Sequence, residues 1–285
     1  MSLSPKTITV FLDASPSSKM RATHAAYLAQ RWSAYLVGVD VLFAGVQLPP
    51  SMSYVRGDEA FEHVAAYKRQ LDAEAEAAAD QVREHFLGLC TGQNVLGEFR
   101  RIGRENSVEE AIHIAFNSDL VVVGHPEPHG LPDDLSVEKL LLASGGPLLI
   151  VPNGWKGETI GNNILIGWNS TREARRAVGD AMAFLVSAKS VTALVIDPDD
   201  EHQNGEDPGS DFATSLDRHS VHVALEHVIS RGYSIPAVLL GYAEQSASDL
   251  LVVGAYSHAR LMELLLGGTT RTLLTHTPMP TLMSR

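Results

Sequence analysis

Cysteine is almost absent from this sequence of 285 residues, which contains only Cys90. A single cysteine excludes an internal disulfide and a thiolate metal cluster within one chain, and we expect a buried, unreactive thiol. Positive charge is also scarce, with 22 Lys and Arg against 34 Asp and Glu and a formal net charge of −12. This balance argues against a general nucleic-acid or anionic-membrane partner, because both need a basic face.

Long apolar runs are missing as well. No run approaches the roughly 20 residues that cross a bilayer, and the first residues, MSLSPKTITVFLD, lack a basic segment followed by an apolar one. We therefore expect no membrane partner and a cytoplasmic location. The sequence does contain 45% hydrophobic and 20% charged residues, which is typical of a folded protein of one large or two ordinary domains.

Short β-branched runs alternate with stretches of helical spacing along the chain. In the first half, strand, helix and strand follow one another within about 40 residues, which indicates a βαβ unit with parallel strands. Ser107, followed by Glu109 and Glu110, indicates a capping-box start to one helix. The predicted strands are 7–12, 35–42, 94–101, 119–124 and 147–152, and the predicted helices are 19–34, 58–89, 107–117 and 135–144.

The second half repeats this order of elements. Asn169 matches Asp13 at a shift of 156 residues, whereas Gly254 matches Gly124 at a shift of 130. The second copy is therefore about 26 residues shorter, and the long helix 58–89 is where the difference falls. Its predicted strands are 163–168, 191–196, 222–229, 250–254 and 280–285, and its predicted helices are 172–187, 211–219 and 235–246, with one more opening at 267–270.

This duplication predicts the fold class. We expect an α/β protein made of two tandem, open, five-stranded parallel-sheet domains, residues 1–155 and 160–285, with a linker near 153–161. In such sheets ligands bind at the carboxyl ends of the strands.

The stretch from Asp249 to Thr270 carries the clearest functional signal. Residues 250–253 form an apolar run typical of a strand buried on both faces, and the run stops at Gly254. A second cluster of small residues, 267–270, opens the next helix. Free backbone N–H groups at a helix start favour an anion, and Thr269 and Thr270 add hydroxyl donors, so the simplest ligand is a phosphate chain.

The spacing of this stretch resembles the nucleotide loop of the universal stress protein family. That loop reads Gly, two residues, Gly, nine residues, Gly, then Ser or Thr, and here Gly254, Ser257 and Gly267 keep the spacing. Ser257 stands where the family has its second glycine. Gly268 stands at the first hydroxyl position, with Thr269 and Thr270 after it.

Together with the duplication, the resemblance covers nearly the whole chain, which looks like a tandem universal stress protein. It implies a doubly wound, adenine nucleotide alpha hydrolase-like fold whose two copies pair through their fifth strands about a pseudo-twofold axis. It also implies an adenine nucleotide, ATP with Mg or a relative, in the second copy. The residues implied to bind it are Asn169 at the family's acidic position, Ile196 beside the base, and Val253, Gly254, Ser257, Gly267, Gly268, Thr269 and Thr270 along the phosphates.

The first copy keeps the acidic residue, Asp13, and has Val41 at the second strand. Its loop after Gly124 reads HPEPHGLP, in which three prolines remove backbone donors and Glu127 repels phosphate. We therefore predict no phosphate site there. His125 and His129 flank Glu127, but no fourth metal ligand is evident, so a metal centre is a weak alternative.

Three functional classes stay open at this point. The first is a regulatory module that binds ATP or a related nucleotide and signals to an unknown protein partner. The second is a nucleotide-free scaffold in the stress response that acts through protein contacts. The third is a slow ATPase, for which the sequence offers no catalytic residue, base or water-positioning group, and association of two chains into a homodimer stays open.

Overall fold

The computed structural model describes residues 4–41, 58–103, 105–197, 209–255 and 268–285. The described strands form one ten-stranded sheet. They are β1 (Thr7–Leu12), β2 (Tyr35–Val41), β3 (Gly97–Ile102), β4 (Leu120–His125), β5 (Leu148–Pro152), β6 (Asn163–Trp168), β7 (Ser190–Ile196), β8 (Ala224–Val228), β9 (Leu250–Gly254) and β10 (Thr281–Ser284).

Helices follow most of these strands and cover both faces of the sheet. They are α1 (Pro16–Trp32), α2 (Asp58–Gly92), α3 (Ser107–Phe116), α4 (Val137–Ser144), α5 (Arg172–Asp180), α6 (Met182–Leu185), α7 (Ser210–Asp217), α8 (Ile235–Gln245) and α9 (Gly268–His276). In the described part of the chain, no helix has the length and apolarity needed to cross a bilayer.

The strand order shows two similar halves in one sheet. It runs β3-β2-β1-β4-β5-β10-β9-β6-β7-β8, so each half is a five-stranded doubly wound unit. Pairing within each half is parallel, whereas β5 and β10 pair antiparallel, with Leu149 opposite Leu282. The predicted fold class and the predicted pairing through the fifth strands are confirmed.

The halves also meet through their helices. The rings of Trp32 on α1 and Phe184 on α6 pack edge to face, with centroids 4.7 Å apart. Next to them, Arg31 donates from Nη2 to the carbonyl oxygen of Ser187 over 3.1 Å. The sheet contact is therefore backed by a helix contact on one face.

Two apolar cores lie on opposite faces of the sheet. Because side chains alternate along a strand, Val10 belongs to the core that contains residues of α1, α2, α5, α6 and α7 on one face. Phe11 belongs to the core that contains residues of α3, α4, α8 and α9 on the other face. Nearly every residue of β1, β4, β5 and β10 is buried, as expected for central strands of a sheet that helices cover on both sides.

Helix boundaries are where the structure departs from the prediction. The third helix is not capped by Ser107: the N-cap is Asn106, in a left-handed conformation with no side-chain capping bond. The predicted helix 172–187 breaks at Ala181 into α5 and α6. By contrast α1 starts at Pro16 after the Ser15 cap, whose side chain accepts from the N–H of Ser18.

An aspartate ahead of the fourth strand fixes the start of each half. Asp119 accepts from the backbone N–H groups of Lys6 and Thr7 at 2.8 and 2.9 Å. Asp249 accepts four hydrogen bonds, from Thr159 Oγ1 and from the N–H groups of residues 161, 162 and 163, at 2.8–3.1 Å. Asp249 therefore ties the connection between β5 and β6 to the sheet.

We predict that Asp249→Asn destabilises the protein more than Asp119→Asn. An asparagine at 249 turns an NH2 group toward two donors and loses their bonds, at a cost of about 2–4 kcal/mol. At 119 one amide oxygen can replace the single carboxylate oxygen in use, so the cost is below about 1.5 kcal/mol. Urea unfolding of both variants measures this difference, and equal losses would contradict the role of the four bonds at Asp249.

Candidate functional site

The candidate site of the second half lies where β6 and β9 are neighbours in the sheet. From β6 the sheet continues to β7 and β8 on one side and to β9 and β10 on the other, so the strand order reverses between β6 and β9. Open α/β sheets bind ligands at such a point, in the crevice at the carboxyl ends of the two strands. The fold places Asn169 directly after β6, Ile196 at the end of β7 and Gly254 at the end of β9. It therefore brings these three predicted positions to the same edge.

Asn169 is exposed and is held by the start of α5. Its Oδ1 accepts from Thr171 Oγ1 over 2.7 Å, and Thr171 in turn caps α5 by accepting from the N–H of Ala174. Within the described residues, Nδ2 of Asn169 has no hydrogen-bond partner. The side chain can therefore donate to a ligand but has already used part of its acceptor capacity.

Ile196 and Val253 form part of the apolar floor of this edge. Val253 is buried and Ile196 is half-buried, and both belong to the core on the α8 and α9 face, together with Leu239. Gly167 lies between them: a Cβ there would stand 3.0 Å from Val253 Cγ1. The absence of a side chain at 167 lets Val253 and Leu239 close over β6.

Gly254 is required by packing in this structure. A Cβ at this position would lie 2.4 Å from the backbone N of Ala174 and 2.4 Å from the backbone C of Glu173. The first turn of α5 therefore rests directly on the end of β9. The sequence prediction assigned this glycine to close approach of a ligand, and the structure adds a second reason for it, the approach of a helix.

The start of α9 contains three of the positions predicted to bind phosphate, Gly268, Thr269 and Thr270. Gly268 is its first residue and is exposed, and a Cβ there would meet no atom within 4 Å. Thr269 is half-buried and Thr270 is buried. The N–H groups of the first turn have no partner within a helix. Ser257 and Gly267, the other two predicted positions, lie outside the described residues.

An aromatic stack beside Asn169 was missed by sequence reasoning. Trp168, the last residue of β6, stacks on Phe212 of α7, with ring centroids 3.8 Å apart and planes 12° from parallel. The indole N–H of Trp168 is buried with no acceptor among the described residues. The only signal in the sequence was an aromatic residue at a strand end, and nothing there indicated its partner.

In the first half, the matching acidic residue is paired. Asp13 is 7% exposed; its Oδ2 accepts from Arg21 Nη2 over 2.8 Å, and its Oδ1 accepts from the N–H of Ser15. Both carboxylate oxygens are therefore engaged within the chain. Sequence reasoning missed Arg21, although its place eight residues after Asp13 is within reach of the strand end.

His125 ends β4, and His129 lies in the loop that follows it. His129 accepts from the N–H of Leu131 through Nδ1 and lies 3.5 Å from a Glu127 oxygen through Nε2. Burial, reinforced by the charge of His129, lowers the pKa of His125 to about 4. In the described ranges, no three His, Cys, Asp or Glu side chains are placed to hold a metal ion.

Asp40 carries the most perturbed carboxyl group at this edge of the first half. It is 5% exposed, near the end of β2, and its Oδ2 lies 4.0 Å from Arg101 Nε with no hydrogen-bond donor among the described residues. Burial raises the pKa of Asp40 to about 6; Arg101 lowers it, and the charges of Asp13 and Glu76 raise it. Arg101 meanwhile donates to Glu76 and Asp80 of α2 at 2.6 and 3.0 Å.

We predict that Asp40→Asn stabilises the protein at pH 8 and has a much smaller effect, below about 1 kcal/mol, at pH 4. In the unfolded chain this carboxyl ionises near pH 3.8, and in the folded protein near pH 6. The folded state therefore holds the proton more tightly, and wild-type stability falls as the pH rises through this window. The asparagine removes this loss, a gain of about 2–3 kcal/mol at pH 8.

Chemical denaturation at both pH values measures the effect. Asp80→Asn, which removes a mostly exposed partner of the same arginine, is the control and should change stability by less than about 1 kcal/mol. An equal gain for Asp40→Asn at pH 4 and pH 8 would show that Asp40 does not titrate in this window.

Comparison with known proteins agrees with the fold. The chain is an α/β protein of two doubly wound halves with a candidate anion site at one strand edge. Residues 162–285 match the model of the universal stress protein family. The second half of the chain is therefore similar to that family, and the whole chain has the fold seen in two solved structures of universal stress proteins.

Two solved structures share the fold over nearly the full chain. A universal stress protein from Archaeoglobus fulgidus DSM 4304 is 13% identical, with a TM-score of 0.69, over 100% of this chain and 98% of its own. A putative universal stress protein from Pseudomonas aeruginosa UCBPP-PA14 is 16% identical, with a TM-score of 0.56, over 99% of this chain and 94% of its own. A comparison with curated protein sequences gave no match.

A shorter structure is described as a universal stress protein in complex with cAMP. It is 18% identical and covers 53% of this chain and 98% of its own, with a TM-score of 0.35. The ligand is a property of that protein, and a likeness of this size carries no argument about the ligand of this chain.

Proposed function

We propose that this protein is a regulatory protein of the universal stress type that binds ATP or a related adenine nucleotide in its second half. The observation that supports the proposal is the family match over residues 162–285, the half in which Asn169 follows β6 and α9 opens with Gly268, Thr269 and Thr270. The domain division at 1–155 and 160–285 and the cytoplasmic location stay predictions.

Binding energy would come mainly from the backbone. The N–H groups at the start of α9 and the Thr269 hydroxyl would hold the phosphates, because a helix N-terminus favours an anion. Asn169 would donate through Nδ2 to the nucleoside, and Ile196 would pack near the base. Arg271, exposed in the first turn of α9, adds positive charge.

A magnesium ion would enter with the nucleotide. Asn169 replaces the acidic residue of the family pattern, and among the described residues no group of three metal-binding side chains exists. Mg²⁺ usually keeps several waters and binds through substrate phosphates. We therefore propose that the phosphates hold the ion and that Thr269 and the backbone hold the phosphates.

A nucleotide-free scaffold is the second candidate, and one observation favours it. Gly254 is explained by the approach of α5, so this glycine does not require a ligand. In this alternative the second half would serve protein contacts alone. In either case the partner is an unidentified regulatory protein, and a further homodimer stays a prediction.

We predict that Thr269→Val weakens ATP binding about tenfold or more. The substitution keeps the side-chain shape but removes a hydroxyl donor to a charged group, which contributes about 1.5–3 kcal/mol. Thr275→Val, in the last turn of the same helix, is the matched control because the Thr275 hydroxyl donates to the carbonyl of Arg271. Isothermal titration calorimetry with Mg-ATP measures both affinities.

The same titration separates the two candidate functions. If wild-type protein gives no heat and no thermal shift at millimolar Mg-ATP, nucleotide binding is excluded and the scaffold is left. If Thr269→Val and Thr275→Val both bind Mg-ATP as tightly as the wild type does, the nucleotide does not bind at the start of α9.

A further inference from the structure

The matching edge of the first half already contains a guanidinium group. Arg21 is 1% exposed and reaches from α1 to the end of β1, where Nε donates to the carbonyl of Phe11 over 2.9 Å and Nη2 pairs with Asp13. The place is the counterpart of the candidate site, because β1 and β4 are neighbours across the reversal of strand order.

The guanidinium also covers the end of β4. A Cβ on Gly124 would stand 2.2 Å from Arg21 Nη1 and 3.0 Å from Asn153 Oδ1. Gly124 is therefore needed because Arg21 occupies the space above it. One cationic side chain thus spans the crevice from β1 to β4, where a ligand of the first half would otherwise lie.

The loop after β4 closes the crevice from the other face of the sheet. Gly130, with a φ of 76°, lies against the β1 backbone, since a Cβ there would be 2.8 Å from the N of Leu12. The next residue, Leu131, is fully buried in the core on that face. Asn153 holds the loop by donating from Nδ2 to the carbonyl oxygens of Pro126 and Pro128.

The second half is built differently at the same places. The first strands, β1 and β6, and the helix caps that follow them, Ser15 and Thr171, keep one shift of 156 residues, so Ala177 stands at the position of Arg21 and Asn169 at that of Asp13. The buried ion pair is thereby replaced by two uncharged residues, and Asn169 is exposed where Asp13 is buried. In the first half Gly124 faces the guanidinium group of Arg21, whereas in the second half Gly254 faces backbone atoms of α5.

We propose that Arg21 is the residue that closes the first half to ligands, acting as an internal occupant of its crevice. The chain then binds one nucleotide, in the second half. The first half is closed by the ion pair of Asp13 and Arg21, and the second half has the uncharged residues Asn169 and Ala177 at the same positions. The statement about nucleotide number rests on the proposed function, whereas the closure of the first half does not.

The first arm of the test uses no nucleotide. Hydrogen exchange followed by mass spectrometry compares wild type with Asp13→Asn/Arg21→Met, which removes both charges and so leaves no unpaired buried ion. Peptides covering residues 10–14 and 122–131 should exchange at least about tenfold faster, while peptides covering 163–170 and 250–255 keep their rates. The control is Asp180→Asn/Arg176→Met, which removes a more exposed ion pair from α5.

If the double variant loses its fold, all peptides exchange fast, and Arg21→Lys replaces it. Lysine keeps the charge beside Asp13 but lacks the fork that reaches Phe11 and the space above Gly124. Faster exchange confined to the first-half peptides supports the proposal. Unchanged first-half exchange in a folded variant overturns it.

The second arm adds millimolar Mg-ATP to wild type. Protection confined to second-half peptides supports a single site, and protection at residues 10–14 or 122–131 overturns the closure of the first half. If no peptide is protected and calorimetry shows no heat, the proposed function fails, and the first arm alone decides the role of Arg21.

Discussion

The antiparallel pairing of β5 with β10 is the constraint on which the arrangement of the whole molecule depends. Each half is a five-stranded parallel unit whose fifth strand would otherwise be an unpaired edge, with open N–H and C=O groups. Pairing Thr281 through Met283 with Leu148 through Ile150 satisfies these groups and joins the two units into one sheet. The helix contact between Trp32 and Phe184 then buries apolar surface on one side of the same seam.

The two halves share one arrangement of strands but differ in the helices that connect those strands. Asp119 and Asp249 perform the same task at the start of their halves, and β1 and β6 have equal lengths. The helices that connect the second and third strands of each half differ: α2 has 35 residues, and α7 has 8. A shared framework with different connections is expected when packing constrains the core and the connecting segments are free to change.

Much of the fold could be predicted from the sequence because its signals are local and repeated. β-branched runs such as Thr7–Leu12 give strands, and the repeat of the order indicates two halves. Helix starts were less predictable, since Asn106 adopts a left-handed conformation at a place where Ser107 looks like a cap. Element boundaries depend on backbone geometry that residue types only favour.

The candidate site was predictable only in part, for a physical reason. Asn169, Ile196 and Gly254 follow strand ends, so their common edge follows from the predicted topology. The contact of Gly254 with α5 and the reach of Arg21 to Gly124 depend on how closely a helix approaches the sheet. That distance is set by side chains from several elements at once, and no local pattern encodes it.

The antiparallel seam has one more geometric consequence. Because β5 and β10 run in opposite directions, the carboxyl ends of the two parallel units point toward opposite ends of the sheet. The candidate site at β6 and β9 and the crevice filled by Arg21 at β1 and β4 therefore open toward opposite ends of the molecule.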